Sequence, residues 1–205
     1  NVELRVPTGI WAGRVVAAYD PEEGARGRSD LRDQTVLTID PDDARDFDDA
    51  VSITELGDGR LELGVHIADV SYFVQPGGAL DQEARARANS VYFPRLVIPM
   101  LPEVLSNGVC SLQENEPRLT KSAFIRYDRQ GNVCSQRFAN TIIRSDKRLT
   151  YRQATQVLEG DSAGFPKNVL TLLRDADRLA RAIRKRRLQD GMLVLALPEI
   201  ELRFD

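Results

Sequence analysis

The chain has 205 residues, 42% of them hydrophobic and 29% charged, with a formal net charge of −3. These values are typical of a soluble globular protein with a sizeable core, and they exclude a strongly basic field over the whole molecule. Within these residues we find neither a signal peptide nor an apolar run long enough to cross a membrane, so we expect a cytoplasmic protein without a membrane partner. Cys110 and Cys134 lack metal-type spacing, which favours free thiols in a reducing compartment.

The first quarter of the chain predicts a linker followed by short strands. Residues 19–33 are polar and contain Pro and Gly, so we interpret them as a loop or linker. The run "QTVLTI" predicts a strand that leads directly into Asp40. The β-rich runs 49–56 and 61–70 are separated by "GDGR", which predicts a hairpin.

The middle of the chain predicts a helix, an irregular segment and a second hairpin. Residues 80–88 predict a short helix with acids in the first turn. Three prolines make residues 90–107 mostly extended, and Pro102 is placed to open a short helix. "KSAFIRYD" and "VCSQRFANTII", joined by "RQGN", predict the hairpin.

The last third predicts two helices and two closing strands. "TYRQ" at 150–153 fits a capping box for a helix that ends near Gly160. An apolar stripe predicts a longer helix over about 166–189, and "MLVLALPEIELRF" predicts two strands broken at Pro198. The fold class expected from this order is α+β, with a mixed, mostly antiparallel, twisted sheet and helices packed on one side.

The segment "TIDPDDARDFDDAVSI" places six aspartates within ten positions, with Arg45 as the one cation among them. Carboxylates this close repel one another, so on partial burial they take up protons or need a compensating cation. A hard dication such as Mg²⁺, which prefers oxygen ligands, satisfies that need. A solvated acidic turn is the alternative.

Two other motifs with clustered aspartates do not explain this segment. An EF-hand loop does not fit, because Val51 and Gly57 stand where it requires Gly and Glu. An aspartyl-phosphate phosphatase motif fits poorly, because Ala50 stands where it has Thr or Val.

Several ordered segments then carry a resemblance to a known family. "TIDPDDARDFDDA" resembles the signature of the RNB catalytic domain of the ribonuclease II and ribonuclease R family. "SDLRD", "HIADVSYFVQPGGALDQEA", "SVYFPRLVIPMLPEVLSNGVCSL", "RLTY" and "DGM" match in the same order. The resemblance covers roughly residues 30–205, and we divide the chain into a lead-in and linker, 1–33, and the N-terminal part of an RNB catalytic domain, 34–205.

The resemblance implies a processive 3′→5′ exoribonuclease that hydrolyses single-stranded RNA to nucleoside 5′-monophosphates with Mg²⁺, for which Mn²⁺ can substitute. By position, the essential, metal-holding aspartates of the family fall on Asp40, Asp46, Asp48 and Asp49. Tyr151 matches a tyrosine at the catalytic centre, and Tyr92 matches one near the terminal nucleotides, so both are expected to contact RNA.

Other polar residues receive structural interpretations. We expect Asp42 and Asp43 to be solvated, and Arg45 to be a surface charge rather than a partner of Asp43 or of a phosphate. We expect His66 to be a packed strand residue, Phe93 a core residue, and both cysteines buried thiols. Asp69 is either an outer partner of the metal ligands or a strand-end hydrogen-bonding group. The cations at 184–187 suit a helix C-terminus.

Some features of the family are not found in these residues. Ala88 and Asn89 stand where the family commonly has Gly-Thr. We expect this chain to be a fragment whose partners include the remaining, arginine-bearing C-terminal part of the catalytic domain and the flanking OB-type domains. The fragment alone is then expected to be nearly inactive. The alternative is a non-catalytic RNA-binding relative, whose expected mark, a lost aspartate, is not seen. A different metal phosphohydrolase is disfavoured by the motifs beyond the aspartates.

Overall fold

The computed structural model of the chain describes residues 7–93, 96–161 and 164–195, with side chains described from Ala12 onward. The helices are α1 (Pro7–Ala17), α2 (Pro21–Gly24), α3 (Val70–Phe73), α4 (Ala79–Arg87), a π-helix (Val104–Val109), α5 (Tyr151–Leu158) and α6 (Lys167–Gln189). The strands are β1 (Ser29–Asp30), β2 (Leu37–Asp40), β3 (Asp49–Glu55), β4 (Leu61–Ala68), β5 (Val91–Phe93), β6 (Leu96–Ile98), β7 (Pro117–Tyr127), β8 (Val133–Arg144) and β9 (Lys147–Thr150).

Seven of these strands form one mixed sheet in the order β1-β8-β7-β4-β3-β2-β9. The five central strands pair antiparallel, whereas β1 joins β8 and β9 joins β2 in parallel. β5 and β6 form a separate two-stranded ribbon. The predicted α+β class, with a mostly antiparallel sheet, is confirmed.

Helices contribute to apolar clusters on both faces of the sheet, rather than on one face as predicted. Neighbouring residues of a strand point to opposite faces. Ala50 packs in a cluster that includes residues of α1, α3, α4 and the π-helix. Val51 packs against a cluster that includes residues of α5 and α6. The adjacent apolar residues Ala50 and Val51 of β3 are therefore explained by burial on both faces of the sheet.

Local sequence signals placed several elements correctly. In the first predicted hairpin, the Leu56 N–H donates to the Arg60 carbonyl at 3.0 Å. Gly57 and Gly59 in that turn have φ values of 78° and 83°, a region that favours glycine. The capping box at Thr150 and Gln153 is present at the start of α5. Pro166 precedes α6 as its N-cap.

Three segments differ from the sequence prediction. Residues 19–33 contain α2 and β1 rather than only loop, because β1 adds to the edge of the sheet beside β8. Residues 90–107 contain the β5–β6 ribbon, and the turn that begins at Pro102 continues as a π-helix. Of the predicted closing strands, residues 192–195 form no strand, and residues 196–205 lie outside the described residues.

Within the described ranges, no helix combines the length and the apolarity needed to cross a membrane.

Candidate active site

The clustered aspartates lie where β2 ends and β3 begins. Asp40 is the last residue of β2 and Asp49 the first residue of β3. The connecting segment, residues 41–48, carries Asp46 and Asp48 and is called the acidic loop below. Asp40 and Asp46 are half-buried, whereas Asp48 and Asp49 are exposed. Two paired strands thus fix both ends of the segment that holds the four aspartates.

The protein environment disfavours the charged forms of two of these carboxyls. Burial, followed by the negative charge of Asp49, raises the pKa of Asp40 above its ordinary value, although the Thr38 hydroxyl and then the Arg148 charge oppose this. The pKa of Asp48 is also raised, because surrounding protein removes part of its hydration and because Asp46 and Asp49 repel its charge. The side chain of Asp48 keeps solvent access on its outer side, so solvent or a ligand can still reach it.

One oxygen of Asp40 lacks a hydrogen-bond partner. Its Oδ2 atom is buried without a well-aligned hydrogen bond, and so is Oγ1 of Thr38, whose hydroxyl lies close enough to lower the pKa of Asp40. A buried acceptor left without a partner is costly, and a bound cation is one way to satisfy it. The donor chemistry at this position therefore fits a hard divalent metal.

The carboxylates do not enclose an ion by themselves. Among the residues that the structure describes, no three His, Cys, Asp or Glu side chains are grouped so that they could hold a metal. Mg²⁺ usually keeps several waters and takes only one or two protein carboxylates together with substrate phosphates. The arrangement is thus compatible with an ion that is shared between protein and substrate.

Segments distant in sequence hold the acidic loop in place. The Phe47 N–H donates to Ser111 Oγ at 3.1 Å, and Ser111 Oγ donates to the Arg45 carbonyl at 2.8 Å. The Leu112 N–H donates to the Phe47 carbonyl at 2.8 Å, and the Ala68 N–H donates to the Asp48 carbonyl at 2.9 Å. The sequence prediction did not identify Ser111, although it lies within a segment quoted for the family resemblance.

Arg148 holds the other end of the acidic loop. One of its Nη atoms donates to the carbonyls of Pro41 and Asp42, and its guanidinium lies 5.4 Å from the centre of the Phe47 ring. Asp42 is exposed, as expected, and pairs with the exposed Arg152 at 3.0 Å. The sequence prediction did not identify Arg148 either, although it is the first residue of the "RLTY" motif.

Tyr151 is brought to the same edge of the sheet as Asp40. Strands β2 and β9 are parallel, and Asp40 is the register partner of Thr150. Thr150 caps α5, so Tyr151 is the first residue of this helix. Its side chain is 61% exposed, which leaves the ring available to a ligand.

Tyr92 lies apart from the aspartates in the described contacts. It is 69% exposed on the β5–β6 ribbon, and within the described residues no hydrogen bond, ion pair or ring contact joins it to the acidic loop. Phe93 on the same strand is 52% exposed, so its assignment to the core is wrong. The reason is that β5 pairs with β6 rather than with a buried strand of the main sheet.

The only histidine, His66, has a structural role, as predicted. It is fully buried, and its two ring nitrogens are hydrogen-bonded to Ser52 at 2.9 Å and to Ser122 at 2.7 Å. Burial lowers the pKa of His66 to about 4, so the ring is neutral near pH 7. Within the described residues its bonds lead into the sheet interior and not to the aspartates.

Asp69 forms a buried ion pair near the end of β4. Its carboxylate accepts from Arg28 at 2.7 Å and from Ser71 at 2.6 Å. Burial alone would raise the pKa of Asp69, but these two hydrogen bonds and the charges of Arg28 and Lys121 hold it below its usual value. Of the two interpretations of Asp69, these contacts support the strand-end hydrogen-bonding group.

The two cysteines differ from each other. Cys110 is buried, and burial raises the pKa of its thiol to about 12. Cys134 is exposed, so the prediction that it is buried is wrong. It lies near the start of β8, in a stretch that is exposed from Val133 to Phe138.

Comparison with known proteins identifies the family. The RNB domain profile matches residues 28–205. The chain is 46% identical over 181 residues to ribonuclease R of Thermotoga maritima, covering 87% of this chain and 26% of the relative. It is 41% identical over 184 residues to the exosome complex exonuclease RRP44 of Mus musculus, covering 90% of this chain and 19% of the relative.

A solved structure shares the fold. Mycoplasma genitalium RNase R in complex with ribose-methylated single-stranded RNA superposes with a TM-score of 0.89 at 30% identity, covering 96% of this chain and 31% of that chain. The chain therefore spans between 19% and 31% of the length of these three proteins.

Proposed function

Because the chain belongs to the RNB domain family, we propose that it is the carboxylate-bearing part of a 3′→5′ exoribonuclease. Its proposed reaction is the processive hydrolysis of single-stranded RNA to nucleoside 5′-monophosphates. The ribonuclease R structure that the chain resembles holds a single-stranded RNA, which supports this substrate class. Cys110 and Cys134 are free thiols, and a reducing, cytoplasmic location is part of the proposal.

The observation that carries the proposal is the environment of the Asp40 carboxylate. Its carboxylate has a raised pKa and a buried oxygen without a well-aligned hydrogen bond, and the other three aspartates that match the family lie on the adjoining loop and strand. We propose that Asp40, Asp46, Asp48 and Asp49 hold Mg²⁺, with Mn²⁺ as a substitute. When bound, the metal supplies charge stabilisation and an activated water for phosphodiester hydrolysis.

The aromatic residues have proposed roles in holding the RNA. Tyr151 is exposed at the edge of the sheet beside Asp40, where its ring or hydroxyl can contact the terminal nucleotide. Tyr92 presents an exposed ring on the β5–β6 ribbon, which is a proposed stacking surface for nucleotides near the end of the RNA. Stacking tolerates any base, as an exonuclease that degrades any sequence requires.

Further groups are expected from the rest of the natural polypeptide. Cations that match the charge developing in the transition state contribute strongly to phosphoryl chemistry. We propose that these cations come from the C-terminal part of the catalytic domain, and that flanking OB-type domains guide the RNA. The much greater length of the relatives supports this division of labour.

A direct assay tests the proposal. The natural full-length polypeptide is incubated with 5′-labelled poly(A) in Mg²⁺, in Mn²⁺ and in EDTA. We expect a short, labelled end product, released nucleoside 5′-monophosphates and few intermediates in either metal, and intact RNA in EDTA. Release of 3′-monophosphates, or equal cleavage in EDTA, would contradict the metal mechanism. RNA binding without cleavage in both metals would establish the non-catalytic alternative.

A further inference from the structure

We infer that Ser111 is a positioning residue that fixes the backbone of Asp46 in the acidic loop. This inference rests on the proposed function, because it concerns how one of the proposed metal ligands is held. Ser111 itself touches neither substrate nor metal in this account. Its role is to bind the two peptide groups that flank the α-carbon of Asp46.

The geometry is specific to Asp46. The Arg45 carbonyl belongs to the peptide group that precedes Asp46, and the Phe47 N–H belongs to the peptide group that follows it. Ser111 Oγ donates to the first at 2.8 Å and accepts from the second at 3.1 Å. Each peptide group is planar, so only φ and ψ of Asp46 lie between the two bonds. One hydroxyl therefore restrains both backbone dihedrals of this aspartate.

Ser111 is itself held firmly. It is fully buried, its N–H donates to the Gly108 carbonyl at 3.1 Å, and its own carbonyl accepts from Arg118 Nε at 2.8 Å. The next residue, Leu112, donates its N–H to the Phe47 carbonyl at 2.8 Å. The anchor is thus a rigid segment that follows the π-helix, an irregular element common near functional sites.

The side chain of Asp46 is left available. Among the described residues, none donates a hydrogen bond to its carboxylate or pairs with it in a salt bridge. A fixed backbone with an uncommitted carboxylate is what a preorganised metal ligand needs. Partners that orient metal ligands typically contribute about 10- to 100-fold in metal affinity or activity.

Ser111→Ala in the natural full-length polypeptide tests the inference, with Mn²⁺ binding measured by electron paramagnetic resonance in the absence of RNA. We expect the Kd for Mn²⁺ to rise about 10-fold or more. In a cleavage assay, kcat should fall while KM for RNA stays near the wild-type value. The matched control is Ser122→Ala, which removes another buried hydroxyl with two short bonds, to His66 at 2.7 Å and to Thr141 at 2.6 Å. This control should lower the melting temperature without changing the Kd for Mn²⁺.

The outcomes separate this inference from the proposed function. A wild-type protein that binds no Mn²⁺ would overturn both. If the wild type and Ser111→Ala bind Mn²⁺ with the same Kd, only the positioning role is overturned. The same holds if the Kd for Mn²⁺ rises as much in Ser122→Ala as in Ser111→Ala. If Ser111→Ala does not fold, hydrogen exchange of the wild-type protein decides: a protected Phe47 amide supports the anchor, and an amide that exchanges at the rate of a free peptide overturns it.

Discussion

Asp40 and Thr150 are register partners on the parallel strands β2 and β9, at the edge of the seven-stranded sheet. Thr150 caps α5, so the chain turns into a helix at that point and exposes Tyr151 as its first residue. The pairing therefore brings a carboxylate from one segment and a tyrosine from a distant segment to the same edge. The proposed site for metal and nucleotide rests on this strand pairing.

Replacement of Asp48 by Asn should abolish hydrolysis while RNA binding survives. The change removes one carboxylate charge from the cluster, whereas RNA affinity comes mostly from cationic and stacking contacts elsewhere. We expect kcat to fall at least about 10²-fold, the scale for losing one group that stabilises developing charge. Cleavage and binding are measured on one oligonucleotide. The control Asp43→Asn, an exposed aspartate outside the proposed ligand set, should keep near-normal turnover. Normal turnover of Asp48→Asn would remove this residue from the site.

The two exposed tyrosines should have different effects. Tyr151→Ala should slow single-turnover cleavage strongly, because a base–aromatic contact is worth about 1–3 kcal/mol. Tyr151→Phe keeps the ring and reports separately on the hydroxyl. A rate for Tyr151→Ala equal to that of the wild type would exclude a contact with the reacting end of the RNA.

Tyr92→Ala should mainly change the length of the final product, because this ring lies on the β5–β6 ribbon and not beside Asp40. Product ladders on a sequencing gel measure the change. Phe93→Ala is a matched control, since Phe93 is an exposed aromatic whose side chain leaves the same strand on the opposite face. An unchanged end product for Tyr92→Ala, or the same change in both variants, would contradict a specific role for Tyr92.

The metal-free protein should become more stable when Asp48 is replaced by Asn. The folded-state pKa of Asp48 is raised, so at pH 7 the charged carboxylate is less favourable in the folded than in the unfolded chain. In EDTA at pH 7 the variant should therefore melt at a higher temperature than the wild type. The difference should shrink as the pH falls through the raised folded pKa, and should vanish below the unfolded value of about 3.9. Mg²⁺ should raise the melting temperature of the wild type more than that of the variant. A lower melting temperature for Asp48→Asn in EDTA at pH 7 would contradict this assignment of charge repulsion.

Ala88→Gly should stabilise the end of α4. Ala88 has φ of 67° and ψ of −36°, a sparsely populated region that costs a non-glycine residue about 1–3 kcal/mol. Part of that gain is offset by the extra freedom of glycine in the unfolded chain, about 0.4–1 kcal/mol. We expect a net increase of about 0.5–1 kcal/mol in the free energy of unfolding, measured by urea denaturation. The control is Gly13→Ala within helix α1, which replaces glycine by alanine at a helical position instead of alanine by glycine.

Sequence patterns predicted the features that depend on residues close together in the chain. The Thr150–Gln153 capping box, the "GDGR" hairpin and the aspartate cluster are all local, and each is found where the sequence placed it. Features that depend on distant segments were missed. The π-helix precedes Ser111, whose bonds to the acidic loop exist only in the folded chain. Phe93 and Cys134 were assigned to the core from residue type alone, but their strands lie in an outlying ribbon and at an exposed end of the sheet.

The most direct test of the central claim is to locate bound Mn²⁺ by anomalous X-ray scattering in crystals of the natural full-length polypeptide. We predict a peak within coordination distance of carboxylate oxygens of the set formed by Asp40, Asp46, Asp48 and Asp49, and the loss of that peak in Asp48→Asn crystals. A well-occupied Mn²⁺ peak that no oxygen of these four aspartates touches, or a peak that Asp48→Asn leaves unchanged, would contradict the account.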